Sequence, residues 1–280
     1  MKTMKTKMKT KMKTMKTKSA LSYFGSDSKV AEALAGMLDH CKHVTIPFVG
    51  GAAILPHLKA RAIVANDLNG LAINFYRVMS GWYGNAMRQE LIDRCQTTLS
   101  HPDNMELAEQ QLELNVNDHI ELAWSYWAAC WIGRKGKGGT KFVGGMPSVR
   151  RTANGGTNAS RIIAAANDLP AWAKHFERCE WESICFRELL PKVADNPECG
   201  IYCDPPWVGA GRDYLHSFTE QDHRDLFQLL SRFECATIVV RYGNSSLIRD
   251  LYKDWNIIEA NSRTQANSNC DEIWLLSVRT

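Results

Sequence analysis

The sequence predicts one α/β sheet with a mostly helical insertion in its middle, and three observations lead to this fold class. Residues 43–46 and 62–65 are short apolar runs joined by a glycine turn, which is typical of a strand, helix, strand unit in a parallel sheet. Further strands are predicted at residues 183–186, 200–203, 236–241, 255–258 and 272–278. Helical spacing of apolar residues is found at residues 87–99, 105–114 and 120–132.

These patterns divide the chain into a tail at residues 1–18, one sheet domain formed by residues 19–82 and 183–280, and a helical insertion at residues 83–182. The tail repeats Met-Lys-Thr and has eight lysines and no acidic residue. Such low complexity predicts disorder, either as a repeat-expanded start or as a non-specific DNA tether.

Composition narrows the class of protein. The chain has 280 residues, of which 45% are hydrophobic, with nine Trp, so it can bury a substantial core. Its nine cysteines have no C-x-x-C spacing and no signal peptide precedes them, which predicts reduced thiols, a cytoplasmic location, no membrane association and no metal site.

Charge is distributed unevenly. Without the eight tail lysines, the 34 basic residues fall to 26 against 30 acidic residues, so any nucleic-acid surface must be a local patch. Residues 133–161, which we call the basic segment, have no acidic residue and are rich in glycine. The basic residues of this segment are Arg134, Lys135, Lys137, Lys141, Arg150, Arg151 and Arg161. We interpret it as the DNA-binding element, with a solvated flexible loop as the alternative.

A cofactor site is predicted after the first two strands. The turn at residues 47–53 lacks the full G-x-G-x-x-G spacing of dinucleotide-binding proteins, but Asp67 follows the next strand. An acidic side chain at this position can accept hydrogen bonds from both ribose hydroxyls. The alternative is that Asp67 caps the following helix.

The segment Asp204-Pro205-Pro206-Trp207 follows the apolar run at residues 200–203. The carboxylate and the Pro205 carbonyl can both accept hydrogen bonds from an exocyclic amino group, and Trp207 can stack on a base that has left the duplex. A turn with a core tryptophan is the alternative.

Together these segments resemble the adenine-specific DNA methyltransferase family that uses S-adenosylmethionine. The resemblance is carried by Tyr23-Phe24-Gly25-Ser26, Pro47-Phe48-Val49-Gly50-Gly51-Ala52, Asn66-Asp67-Leu68-Asn69, Asn74-Phe75-Tyr76-Arg77, residues 201–207, Ser217-Phe218-Thr219 and Asp222-His223. One departure is Ile46, where family members usually carry an acidic residue.

The resemblance implies a Rossmann-like methyltransferase sheet with an inserted target-recognition lobe. It also implies that Tyr23 and the Gly50 turn line the cofactor pocket, that Asp67 holds the ribose, and that residues 204–207 contact the methyl donor and the base. Phe48 is a further candidate for the cofactor pocket, as an aromatic partner of the sulfonium.

The predicted activity is transfer of a methyl group from S-adenosylmethionine to the 6-amino group of adenine in double-stranded DNA. Methylation of the cytosine 4-amino group and a silent DNA-binding module on the same fold stay open as alternatives. A cognate restriction endonuclease is an open further partner, and a monomer is expected.

The segment after the catalytic motif carries smaller predictions. Thr219 and Asp222 predict a capping box that begins a helix, and Phe218 is predicted to form part of the base-pocket wall. His216 and His223 are predicted to be capping or surface groups.

Overall fold

The computed structural model describes residues 19–23, 30–133, 138–139, 157–209, 215–263 and 269–277, with the side chains of residues 261–263 and 269–270 left aside. The predicted tail lies outside the described residues. So do all the basic residues of the basic segment except Arg161.

Within this part of the chain, seven strands form one sheet. They are β1 (His43–Ile46), β2 (Ala62–Asn66), β3 (Cys179–Glu182), β4 (Cys199–Cys203), β5 (Thr237–Gly243), β6 (Asn256–Arg263) and β7 (Asn269–Leu276). The sheet order is β3-β2-β1-β4-β5-β7-β6. The strands from β3 to β5 in this order are parallel, whereas β7 is antiparallel to both β5 and β6. The order reverses between β1 and β4, which creates a switch point where ligands bind beyond the carboxyl ends of the strands.

Nine helices are present in the described residues. They are α1 (Ala31–Gly36), α2 (Gly70–Ser80), α3 (Asn85–Thr97), α4 (Pro102–Glu113), α5 (His119–Ile132), α6 (Asn158–Phe176), α7 (Phe186–Leu189), α8 (Glu220–Leu230) and α9 (Ser246–Leu251). Short 3-10 turns lie at Leu55–His57 and Leu190–Lys192. The predicted capping box is confirmed, because Thr219 Oγ1 accepts from Asp222 N and Asp222 accepts from Thr219 N. No helix of the described residues is long and apolar enough to cross a membrane.

The strand predictions are confirmed for β1, β2, β4 and β5 and wrong for β3. A strand was expected at residues 183–186, but β3 ends at Glu182 and Phe186 begins α7. Because β3 is the edge strand, its residues alternate between buried and exposed, whereas the prediction selected a fully apolar run.

The sequence predicts that the glycine turn after β1 begins a helix, but no α-helix begins there. Its chain is turned by positive φ angles of 48° at Gly50 and 59° at Ala52, and it continues only into the 3-10 turn at Leu55–His57. Non-helical backbone angles at two positions prevent regular helical hydrogen bonding there. Its amide groups therefore bond outside a regular α-helical pattern: Val49 N donates to Asn66 O, and Ala52 N donates to Val49 O.

The helices of the insertion share one hydrophobic core with the sheet. Helix α2 lies between them and contacts α3, α5, α6 and β3. Its Tyr76 ring is stacked on Trp181 of β3, with centroids 4.7 Å apart, and also contacts Phe176 of α6. Such shared packing makes α2 a rigid support for the residues at its amino end, where the candidate site lies.

Candidate active site

The Gly50 turn and Asp67 are directly bonded to each other. Gly50 N donates to Asp67 Oδ2 at 2.9 Å, and Asn69 N donates to Asp67 Oδ1 at 2.9 Å. Both donors are main-chain amides, one in the glycine turn and the other at the N-cap of α2. The Asp67 carboxylate is thus oriented at the end of β2, and its remaining lone pairs can accept hydrogen bonds from a ligand.

The helix cap after β2 is Asn69, not Asp67. Asn69 Oδ1 accepts from Leu71 N and Ala72 N, and its amide group donates to Tyr126 Oη at 2.7 Å. This assignment removes the capping alternative for Asp67. Burial raises the pKa of Asp67, while the bonds from Asn69 N and Gly50 N and the nearby His216 act in the opposite direction.

Asn66, the last residue of β2, fixes the loops at the same end of the sheet. Its amide group donates to Pro47 O at 2.9 Å and to Ile184 O at 3.0 Å, and its Oδ1 accepts from Ile184 N at 3.0 Å. One buried side chain therefore joins the loops that follow β1 and β3. A buried amide with satisfied partners fixes loop positions strongly, because an unpaired partner would cost about 1–3 kcal/mol.

Tyr23 lies against the Gly50 turn. A Cβ atom added at Gly50 would lie 3.4 Å from the Tyr23 ring, and Asn69 Nδ2 approaches Tyr23 Oη at 3.4 Å. Tyr23 is only 8% exposed. It therefore forms a wall behind the turn.

Phe48 belongs to a different cluster from Tyr23. Its ring lies 5.6 Å from Phe186 and 5.7 Å from Phe218, between the loop after β1 and the segment that precedes α8. The side chain is partly exposed. Phe48 is thus placed on the β4 side of the Gly50 turn. Ile46, by contrast, is fully buried at the end of β1 and contributes packing only.

Asp204 lies directly after β4 and is bound by a buried arginine of β5. Arg241 Nη1 donates to Asp204 Oδ2 at 3.1 Å. The Asp204 side chain keeps 24% of its exposure, while that of Arg241 keeps 4%. Burial raises the pKa of Asp204, and the Arg241 charge and a hydrogen bond from Trp207 oppose this increase.

Trp207 packs on the backbone of β5. A Cβ atom at Gly243 would lie 2.6 Å from Trp207 Cε3, so only a glycine permits this approach of the ring. The Arg241 guanidinium lies 5.1 Å from the Trp207 ring centroid. The indole is partly exposed and packs against the hydrophobic cluster of β4 and β5.

The two carboxylates flank the switch point of the sheet. Asp67 follows β2 and Asp204 follows β4, and β1 with its glycine turn lies between them. Two inter-strand spacings separate β2 from β4, which is about 10 Å. This span fits a nucleoside held at one carboxylate with its reactive end near the other. In the described residues, no cluster of His, Cys, Asp or Glu is arranged to hold a metal ion.

The two histidines behave differently from each other. His216 is exposed, as predicted, and near enough to Asp67 to influence its pKa. The prediction for His223 is wrong, because His223 is buried and its Nδ1 lies 2.9 Å from Tyr242 Oη. Phe218 contacts His223, with centroids 4.8 Å apart.

Arg161 is the basic residue of the basic segment that the structure describes. It lies in the first turns of α6, with its guanidinium 5.7 Å from the Trp131 ring centroid. It is exposed at the surface. The position is compatible with a phosphate contact and also with a structural role on Trp131.

Sequence reasoning missed Arg241 and its second partner, Glu272. Arg241 Nη2 donates to Glu272 Oε2 at 2.8 Å, and the Glu272 side chain has no exposure. A signal was present for Arg241, because it interrupts an apolar strand run, and charged residues are almost never fully buried unless they are paired.

A mixed sheet in this order, with a carboxylate after β2 and a second one after β4 followed by two prolines and an aromatic residue, defines a Rossmann-like methyltransferase. The family model described as D12 class N6 adenine-specific DNA methyltransferase matches residues 23–266, and the chain therefore belongs to this family. No curated protein matches the chain. The protein is accordingly an enzyme that methylates adenine in DNA, and its family implies S-adenosylmethionine as the methyl donor.

Proposed function

We propose that residues 204–207 form the catalytic turn of this adenine methyltransferase and that the Gly50 turn with Asp67 binds the cofactor. The observation that carries the proposal is the position of Asp67 and Asp204 on either side of the switch point. Family membership favours adenine over the cytosine amino group. The same membership in a family of enzymes argues against the silent DNA-binding module.

Binding of the cofactor is assigned to five residues. Tyr23, Phe48, Gly50, Asp67 and Asp204 are the proposed cofactor-binding residues. Asp67 is oriented by two main-chain amides, which fits an acceptor for ribose hydroxyls. When bound, S-adenosylmethionine supplies an electrophilic methyl group on a sulfonium. No metal is assigned to the reaction.

The catalytic turn is proposed to hold the substrate amino group. Asp204 and the Pro205 carbonyl each accept a hydrogen bond from the amino group, which orients the nitrogen lone pair, and Pro206 stiffens the turn. Trp207 stacks on the adenine, which must leave the duplex because its amino group is unreachable inside the stack. The partial exposure of Asp204 and Trp207 fits groups that await a substrate.

This assignment is tested with Asp204→Ala. We expect methyl transfer to fall by at least about 100-fold, because an interaction made at the reacting nitrogen is removed. DNA affinity should change little. Transfer of a labelled methyl group and DNA binding by fluorescence anisotropy measure the two effects, with the exposed Asp254→Ala as the control. Unchanged turnover in Asp204→Ala would remove this residue from the mechanism.

The basic segment is proposed as the main DNA-binding surface, through Arg134, Lys135, Lys137, Lys141, Arg150, Arg151 and Arg161. We expect Arg150→Gln with Arg151→Gln to weaken DNA binding and to reduce the salt slope by about 2, since each arginine is expected to neutralise one phosphate. Lys42→Gln with Lys59→Gln is the control, since both lysines precede the amino ends of β1 and β2, whereas Asp67 and Asp204 follow the carboxyl ends of their strands. An unchanged salt slope would show that the two arginines do not bind phosphates.

The setting of the enzyme is a further part of the proposal. We assign it double-stranded DNA as substrate, a monomeric state and the cytoplasm, and a cognate restriction endonuclease as an open partner. Free thiols at all the described cysteines are compatible with a reducing compartment.

A further inference from the structure

Arg241 is a buried charged residue that binds both ends of the proposed catalytic turn. Its two terminal nitrogens donate to Asp204 Oδ2 at 3.1 Å and to Glu272 Oε2 at 2.8 Å. The other oxygen of Glu272 accepts from Trp274 Nε1 at 2.8 Å. The guanidinium also lies near the Trp207 ring. One side chain thus contacts the carboxylate and the aromatic ring that the reaction is proposed to need.

The strand register explains this arrangement. Arg241 is opposite Trp274 and Gly243 is opposite Glu272 in the antiparallel pairing of β5 and β7. Paired residues, and residues two apart in a strand, lie on the same face of a sheet. Glu272 therefore reaches Arg241 diagonally, and Trp207 covers the open space above Gly243.

The ionisation of Asp204 depends on its burial and on these neighbours. Burial raises its pKa, Arg241 lowers it by charge and by hydrogen bonding, and Glu272 raises it. Tyr202, Cys203 and Tyr242 also face Asp204, but burial raises the pKa of each, so they stay neutral at physiological pH. Against the effect of burial, the charge and hydrogen bond of Arg241 favour the ionised form of Asp204, whereas Glu272 disfavours it.

We propose that Arg241 is a positioning residue for methyl transfer. It holds Asp204 ionised and fixed, so that the remaining lone pairs of Asp204 accept hydrogen bonds from the adenine amino group. Glu272 orients Arg241 and moderates its charge. A carboxylate has about four acceptor positions, so the bond from Arg241 leaves room for the substrate. This inference rests on the proposed catalytic role of Asp204.

The first test removes both buried charges together, because Arg241→Met alone would leave Glu272 buried without its cation. In Arg241→Met with Glu272→Gln, the new amide oxygen can still accept from Trp274 Nε1. We expect kcat to fall about 10- to 100-fold through loss of alignment. The acid limb of the kcat–pH profile should move to higher pH, and cofactor affinity should stay the same.

The second test removes only the anion. Glu272→Gln is combined with Trp274→Phe. With Arg241 present, the new amide oxygen accepts from Arg241, so the amide NH2 group would face the indole N–H of Trp274, and the second substitution removes this clash of two donors. Arg241 then acts on Asp204 without competition, so the acid limb should move to lower pH. Opposite shifts in the two double variants are a result that a purely structural role for Arg241 does not produce.

Arg241→Lys separates charge from geometry. The ammonium keeps the positive charge but lacks the planar fork that contacts two carboxylates. We expect a lower kcat with an unmoved acid limb. Arg249→Met is the matched control, since Arg249 pairs with Glu259 at the surface and should leave both kcat and its pH profile unchanged. Thermal unfolding of each variant verifies the fold.

The outcomes distinguish this inference from the proposed function. If Asp204→Ala retains activity, the catalytic assignment fails and the role of Arg241 fails with it. If Asp204→Ala is inactive but the double variant Arg241→Met with Glu272→Gln keeps the wild-type kcat and acid limb, only the inference about Arg241 is wrong. Shifts of the same sign in both double variants would also overturn it.

Discussion

Asp67 and Asp204 both follow the carboxyl ends of parallel strands, and burial raises the pKa of both carboxyl groups. Their partners differ. Asp67 accepts from two main-chain amides, Gly50 N and Asn69 N, whereas Asp204 accepts from the Arg241 guanidinium, which is shared with Glu272. The cofactor side of the site is thus stabilised by neutral main-chain groups. The catalytic side is stabilised by buried charges from β5 and β7, which are distant from Asp204 in the sequence but close to it in the sheet.

This difference suits the two tasks proposed for the site. A carboxylate that holds neutral hydroxyls needs a fixed position, which backbone amides supply with little dependence on other charges. A carboxylate that accepts a hydrogen bond from a reacting amino group needs a defined ionisation state as well as a fixed position. A nearby arginine supplies it, because an opposite charge within about 4–6 Å favours the charged form.

After Asp204→Ala, substitution of Asp67 gives the largest effect expected from the comparison. In Asp67→Ala, we expect the affinity for S-adenosylmethionine to fall about 10- to 100-fold, because hydrogen bonds to charged groups contribute about 1.5–3 kcal/mol. The kcat value at saturating cofactor should change by only a few-fold. Calorimetric titration and steady-state kinetics measure the two quantities.

The control for this change is Asp39→Ala, which removes an exposed carboxylate paired with Lys59. Its cofactor affinity should match that of the wild type. If Asp67→Ala instead lowered kcat and left cofactor affinity unchanged, the division between a cofactor side and a catalytic side would be wrong.

Gly243→Ala should affect the catalytic side alone. The added methyl group would overlap the Trp207 ring, whose Cε3 lies 2.6 Å from the Cβ position, so the ring must shift. We expect kcat to fall about 10-fold, as misplacement of a positioning group costs up to about 100-fold. Cofactor affinity, measured by the same titration, should be retained.

Gly36→Ala is the matched control, because nothing lies within 4 Å of its Cβ position in α1. It should leave turnover unchanged. A Gly243→Ala enzyme with wild-type kcat would mean that the observed position of Trp207 is not needed for methyl transfer.

The cofactor side was largely predictable from sequence. Asp67 and the Gly50 turn are placed by two short strands and one turn, which follow from local apolar runs and glycine positions. The segment from Asp204 to Trp207 was recognisable for the same reason.

The support of the catalytic side was not predictable. Arg241 and Glu272 are brought together by the register of β5 and β7, and a shift by one residue would place Glu272 on the other face. Local patterns carry little information on register. The burial of His223 was missed for a similar reason, since its partner Tyr242 comes from a separate strand.

The smallest effect concerns His223, a buried histidine on the catalytic side. Burial lowers its pKa from 6.5 to about 4. The unfolded chain therefore binds a proton between pH 6.5 and 4 that the folded protein does not, so stability is complete above pH 6.5 and falls as the pH decreases through this range. Both carboxylates of the site, whose pKa values are raised, shift stability in the opposite direction.

His223→Gln isolates the histidine contribution, because the amide can keep the bond to Tyr242 Oη without binding a proton. Between about pH 7 and 4.5, we expect wild type to lose about 2 kcal/mol more unfolding free energy than this variant. Urea unfolding at the two pH values measures the difference. The exposed His101→Gln should follow wild type, since its side chain is 59% exposed. Equal losses in His223→Gln and wild type would mean that His223 is protonated in the folded enzyme, and that the catalytic side holds another buried cation beside Arg241.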